Sequence, residues 1–145
     1  MAISSAICNS FKQEILVGTH NLTASSGDTF KIALFTSSAS LGAGTTAYST
    51  SNEISNTSGS AYTAGGATLT SVTPTTSGTT AICDFSDVSY TSASFTANGA
   101  LIYNDDQPDK AVAVIAFGGD KTVSSGTFTI QFPTADASNA IIRIA

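Results

Sequence analysis

Few residues in this chain are able to do chemistry, and their spacing decides what each can do. The single histidine, His20, lies in a polar stretch with no Cys, Asp or Glu at metal-ligand or triad spacing, so it reads as a surface turn residue. Asp84 and Asp87 flank Phe85 at an offset that puts them on opposite faces of a regular strand, which denies them the facing geometry of an acid/base pair for glycoside cleavage. Asp105, Asp106 and Asp109 would offer oxygen ligands to calcium. They lack the alternating spacing and glycine of an EF-hand loop, and Asp is ordinary in turns. Cys8 and Cys83 are too far apart in sequence for a metal knuckle and read as buried free thiols. There is no Trp, no Gly-rich phosphate loop entering a helix and no Gly-x-Ser-x-Gly elbow. The residue types therefore call for no enzyme and no cofactor. Tyr48 and Tyr62 remain as rigid amphipathic rings suited to stacking on a sugar or anchoring a protein neighbour.

The elements that must position these residues centre on Gly99-Ala-Leu-Ile-Tyr-Asn104 and Ala111-Val-Ala-Val-Ile-Ala-Phe117, the two most apolar strand-like runs. The second alternates Val112, Val114 and Ala116 with Ala113, Ile115 and Phe117, the pattern of a central strand covered on both sides. Asn104-Asp-Asp-Gln-Pro-Asp109 between them supplies turn residues, so the two runs form an antiparallel hairpin.

Ahead of the hairpin, residues 5–18 carry the one helix signal: Ile3, Ile7, Phe11, Ile15 and, at its margin, Leu16 near helical spacing, Ser4 or Ser5 as N-cap, Gly18 as terminator. The helix is expected to pack over a sheet edge, or else to dock another subunit. Thr29-Phe-Lys-Ile-Ala-Leu-Phe-Thr36 alternates as a strand. Residues 37–66 are rich in Ser, Thr, Gly and Asn, with Leu41, Tyr48, Ile54 and Tyr62 as their large apolar groups. So long a loop calls for a helical turn near Thr46 to Glu53 or for a partner to order it. Further strand signals run over Ala67 to Thr73, Thr79 to Phe85, Val88 to Tyr90 into Phe95-Thr96, Thr127 to Phe132 and Ala140 to Ala145, with turns at Pro74 to Gly78 and Gly118 to Lys121. Seven or eight short strands without βαβ alternation predict an all-β fold, an antiparallel β-sandwich or jelly-roll-like barrel with one short N-terminal helix, as a single domain over 1–145.

Composition narrows the partners. At 145 residues the chain is long enough to bury about 68% of its unfolded surface without a staple. Charged residues make up 10% against about 25% in an average domain, leaving a polar but nearly uncharged surface. The net charge is -5 and the five cations are scattered, which disfavours nucleic acid. No apolar run approaches a membrane span, and Met1-Ala-Ile-Ser-Ser lacks the basic start of a secretory signal, so a product that stays where it is made is expected. The sequons at Asn21 and Asn56 are then chance matches.

Asn9-Ser-Phe-Lys-Gln-Glu-Ile-Leu-Val-Gly-Thr-His20, Thr29 to Thr36, Tyr62-Thr-Ala-Gly-Gly-Ala-Thr-Leu69, Gly99 to Asn104 and the ending Phe132 to Ala145 together resemble a group of short virion structural proteins of tailed bacteriophages of aquatic bacteria, cyanophages among them. The resemblance covers most of the chain. It implies a particle component made in the host cytoplasm, and it transfers no catalytic residue. Within that group the expectation is a capsid decoration, or cement, protein on the capsid surface, a homotrimer whose partner is the major capsid protein. Its candidate contacts are Ile7, Phe11, Ile15, Leu41, Tyr48 and Tyr62. The alternative is a tail or tail-fibre-associated module that binds host-surface carbohydrate.

Overall fold

Strand-forming segments come first from the two apolar runs, and they pair as expected, in a far longer ribbon. The computed structural model describes residues 2–55 and 61–145; the Asn56 sequon lies outside them. Among the described residues the chain forms eight strands and one helix: β1 (Ala6–Ile7), α1 (Asn9–Leu16), β2 (Phe30–Phe35), β3 (Ala67–Thr68), β4 (Ser71–Ser77), β5 (Thr80–Phe85), β6 (Val88–Asn104), β7 (Lys110–Ile130) and β8 (Ile142–Ile144). They make two antiparallel sheets, one in the order β1-β7-β6-β2-β3 and one in the order β4-β5-β8. The fold is the all-β sandwich with a short N-terminal helix that the strand pattern predicts.

β6 and β7 pair from Val88↔Ile130 to Asn104↔Lys110. The Gly118 to Lys121 segment is no strand end. Gly118 and Gly119 take φ of +77° and +147°, values open to glycine, and they bulge β7 between the Ala97↔Lys121 and Gly99↔Ala116 pairs. Asn98 Nδ2 donates to Asp120 Oδ1 across the bulge at 2.9 Å. Beyond it, Val88, Tyr90, Ala93, Phe95 and Ala97 are buried between exposed neighbours, so the distal half of β6 shows one face to the core.

The proximal halves are covered on both faces. Ala100, Leu101, Ile102, Ala111 and Val112 are fully buried. That coverage ends three residues earlier than expected: Ile115, Ala116 and Phe117 are half-buried, and Ile115 packs against the core from its margin. The Phe30 and Phe85 rings, 5.9 Å apart, join the two sheets, and Phe132 stacks on Phe85 at 5.8 Å.

Four further expectations are corrected. The helix is Asn9–Leu16, not 5–18, because residues 4–9 are claimed by pairing on both sides. Ala6↔Val114 and Ile7↔Ala113 hold them to β7, while Ser4 and Asn9 donate to the Leu41 and Ala43 carbonyls. Ser5 Oγ accepts the Ala116 N–H and caps no helix; the N-cap is Cys8. Gly18, at φ +76°, does stop the helix, its N–H returning to the Ile15 carbonyl.

Ala67 to Thr73 splits between the two sheets. Pro74 lies inside β4, where a register shift between Val72 and Thr75 accommodates its missing donor, and the turn falls at Gly78. The 37–66 loop has no helical turn at Thr46 to Glu53; the free edge of β2 orders it. Thr36 and Ile54 N–H groups reach Asn52 and Leu34 carbonyls, Leu69 N–H reaches Phe30, and the Tyr62 hydroxyl accepts the Leu34 N–H at 3.0 Å.

Ile102→Ala should cost about 2–5 kcal/mol, because it empties a fully enclosed site, whereas Ile115→Ala should cost distinctly less. Urea unfolding of the two variants checks this; equal losses would place Ile115 in the interior.

Candidate functional site

Polar side chains are the first place to look for a site, and several of those the sequence singles out are spent inside the fold. α1 follows Cys8, Phe11 and Ile15 at helical spacing onto β7, and this places Glu14, three residues from Phe11, on the same buried face. His20 closes over it. Its side chain is fully buried, against the expectation of a surface turn residue, and its ring lies 4.8 Å from that of Phe11.

Nε2 of His20 lies 3.0 Å from Glu14 Oε1, and Nδ1 lies 2.9 Å from Asn104 Nδ2. Asn104 is fully buried; its Oδ1 accepts the Asp106 N–H and its Nδ2 also donates to Asp28 Oδ2 at 2.8 Å. That fixes the amide, so His20 Nδ1 accepts and Nε2–H donates to Glu14: the neutral tautomer. Lys110 Nζ completes the chain at 3.1 Å from Glu14 Oε2. Burial works to raise the Glu14 carboxyl, yet the hydrogen bonds from His20 and Lys110 outweigh it and hold the carboxyl below its ordinary value. The network ties α1, the β6–β7 turn and the start of β2 together. Both ring nitrogens are engaged, so His20 has no lone pair for a metal or a nucleophile.

All four tyrosines turn inward too. Tyr48 donates to Glu53 Oε2 at 2.7 Å, Tyr62 donates to Glu53 Oε1, and the Gly65 N–H adds a third bond to that carboxylate at 2.7 Å. Tyr103 donates to the Gly65 carbonyl and stacks on Tyr48 at 4.5 Å; Tyr90 donates to the Ile32 carbonyl. Burial first and the Glu53 carboxylate second raise the Tyr48 and Tyr62 phenols far above their ordinary value, keeping both as donors. Tyr62 is fully buried and Phe11 nearly so. Tyr62 and the ring of Tyr48 therefore lack the free stacking face that the sequence suggests, and Phe11, expected as a contact, belongs to the core.

The remaining candidates are also engaged in structure. Asp106 Oδ2 accepts the Thr29 N–H and Asp105 lies 3.5 Å from Lys31. No group of three metal-ligating side chains gathers among the described residues. Asp87 Oδ1 accepts the Phe132 N–H, and burial raises the Asp84 carboxyl. Cys8 and Cys83 are buried free thiols that burial pushes up to about 11, which leaves no reactive thiolate.

What the fold leaves open is apolar surface. A groove of about 310 Å³ runs between α1 and β8, lined by Ile7, Phe11, Ile15, Leu16, Ile142 and Ile144, with Lys12 and Arg143 on its rim. Leu16 is 85% and Ile144 54% exposed. Through Ile7 it joins a second hollow beside Val114, Ile115 and Ile141, and through Ile115 a third along β7, with Phe117, Phe128 and Lys121. The three cations that form no ion pair among the described residues, Lys12, Lys121 and Arg143, all border this belt.

Of the expected contacts, the structure thus gathers Ile7, Phe11 and Ile15 in one groove. It leaves Leu41 elsewhere, in an open hollow of about 830 Å³ bounded by Phe35 and small residues of the 39–52 loop. Leu16, counted with Ile7, Phe11 and Ile15 at the margin of the helical pattern, is exposed instead: five positions from Phe11 puts it off the buried face. No protein-family model, curated protein or solved structure matches the chain.

Glu14 contributes stability that is fully present above its ordinary value of 4.5 and is lost as pH falls through its lowered native value. Glu14→Gln should therefore cost about 1–3 kcal/mol at pH 7, with the gap to wild type closing below about pH 4. Stability measured across pH checks this; a gap constant down to pH 3 would rule out the ionised carboxylate as its source.

Proposed function

We propose that this protein is a bacteriophage virion component, a capsid decoration protein that braces the head by bridging major capsid protein subunits. The observation that carries a binding role is the belt from Leu16 and Ile144 to Phe128: Leu16 and Ile144 stay exposed, and Ile115, Phe117 and Phe128 stay only half-buried, along one run of grooves. A contiguous apolar patch with a polar rim is what a protein interface uses. The resemblance of residues 9–20, 29–36, 62–69, 99–104 and 132–145 to virion proteins of tailed phages supplies the setting. The low surface charge suits close packing between neighbours.

The tail-module alternative has one feature in its favour, the large uncharged hollow bordered by Ser40, Thr45, Ser49 and Asn52, whose hydroxyl and amide groups suit a neutral sugar. Against it, the aromatic rings that would stack on such a ring are withdrawn to Glu53 and the core.

As a decoration protein the chain binds as a trimer on local three-fold axes; light scattering at micromolar concentration should give three times the chain mass, and monomer alone, with singly bound copies on the particle, would defeat this. Bracing requires that binding stabilise the assembled shell over the unlinked one. Particles lacking the protein should assemble yet release DNA at lower temperature or on osmotic shock, with normal adsorption to host cells. Unchanged heat resistance with adsorption abolished would overturn bracing in favour of the tail module.

A further inference from the structure

β8 is an outer strand of its sheet. It pairs with β5 through Ala81↔Ile144, Ile82↔Arg143 and Cys83↔Ile142. On its other side, among the described residues, no backbone group of Ile142–Ile144 meets a hydrogen-bond partner. Successive residues of a strand point to opposite faces, yet Ile142, Arg143 and Ile144 all line the groove beside α1. A hollow touched by three consecutive strand residues runs along the strand's edge. The opposite wall is the apolar side of α1, and an open edge next to apolar side chains is a template for one more strand.

Charge selects the occupant. A second copy that set its own β8 edge here about a two-fold axis would bring Lys12 and Arg143 against themselves, cation on cation. The groove itself carries two cations and no carboxylate: Lys12 at one side and Arg143 at the other. Both side chains are exposed and neither forms an ion pair. Arg143 donates to the Ala137 carbonyl and feels Asp136 only at longer range.

We propose that the groove between α1 and β8 takes an extended segment of a different protein, apolar at its centre and flanked by carboxylates, which adds as a strand to the free edge of β8. Its apolar side chains rest on Ile15, Leu16 and Ile144, its backbone pairs with β8, and its carboxylates meet Lys12 and Arg143. This deepens the docking reading above, and it is tested on the purified chain, so that its failure leaves head bracing standing and a failure of head bracing leaves the groove's chemistry standing.

The probe is a blocked seven-residue peptide alternating isoleucine and threonine between two terminal aspartates; the control carries lysine in place of aspartate. Fluorescence anisotropy should show the acidic peptide binding about ten-fold tighter than the control, with the preference shrinking as salt rises. The Lys12→Glu, Arg143→Glu double variant should invert the preference, Leu16→Ser should weaken both peptides alike, and all these side chains are exposed enough to change without unfolding the chain. N-methylation of alternate peptide amides on the β8-facing edge should abolish binding. Equal affinity for both peptides, a preference that survives charge reversal, or undiminished binding of the N-methylated peptide would overturn the proposal. So would self-association of the wild-type chain that Leu16→Ser removes, since the groove would then belong to a second copy.

Discussion

A strand buried on both faces cannot leave one edge without partners, and β2 is such a strand. Phe30, Ile32, Ala33, Leu34 and Phe35 are all buried, and β6 serves only one side of them, from Phe30↔Asn104 to Phe35↔Gly99. In the interior an unmet N–H or C=O costs about 1–3 kcal/mol, so the other edge has to be supplied. The chain does it piecemeal, with Asn52, Ile54, the Tyr62 hydroxyl, β3 and Leu69. Gly66 is where this docking is tightest: at φ +80° it lies so close to β2 that a Cβ would stand 1.8 Å from the Ile32 carbonyl oxygen. Glu53 then holds the segment down, because one carboxylate collects Tyr48, Tyr62 and the Gly65 N–H. The long loop is a scaffold element for this reason.

This explains what was legible in the sequence. Alternation and turn residues suffice where partners are near in sequence and side chains are unambiguous, as in Gly99 to Phe117, β2 and β5. They fail where the partner is remote or the residue amphipathic. Nothing near His20 in sequence announces Asn104, 84 residues away, and a polar surrounding then reads as a surface. Tyrosine patterns alike whether its hydroxyl faces water or a buried carboxylate. The distal ribbon is hidden because Ser and Thr alternate with apolar residues only weakly, and because a Gly-Gly pair signals an end as readily as a bulge. Just ahead of α1, the stretch Ser5 to Ile7 has helical spacing, and tertiary pairing with β7 overrides it.

The grooves were the least legible part, since a docking surface is defined by what the fold fails to cover. Ile7, Phe11 and Ile15 could be placed on a helix face, but the opposite wall comes from Ile142–Ile144, more than a hundred residues on. Phe11 shows the limit of inference from apolarity alone: it lies under the groove as part of the core, while its neighbour Leu16 is the exposed side chain.

The exposed polar surface follows a logic of its own. On the solvent face of the β6–β7 ribbon, hydroxyls pair across the strands, Ser89 with Thr129 at 2.9 Å and Thr96 with Thr122 at 2.8 Å, and Ser94 Oγ accepts the Ser125 N–H. Such a face solvates without charge and carries no long-range field. Lys31 and Lys110 are matched by Asp105 and Glu14, so on a surface that also exposes Asp87, Asp106 and Asp120 the unpaired positive charge among the described residues reduces to Lys12, Lys121 and Arg143. Because each borders an apolar groove, attraction and burial are offered at the same places. A partner is drawn by charge to where its apolar side chains are also desolvated, and elsewhere it meets hydroxyls that bind water as well as they bind protein.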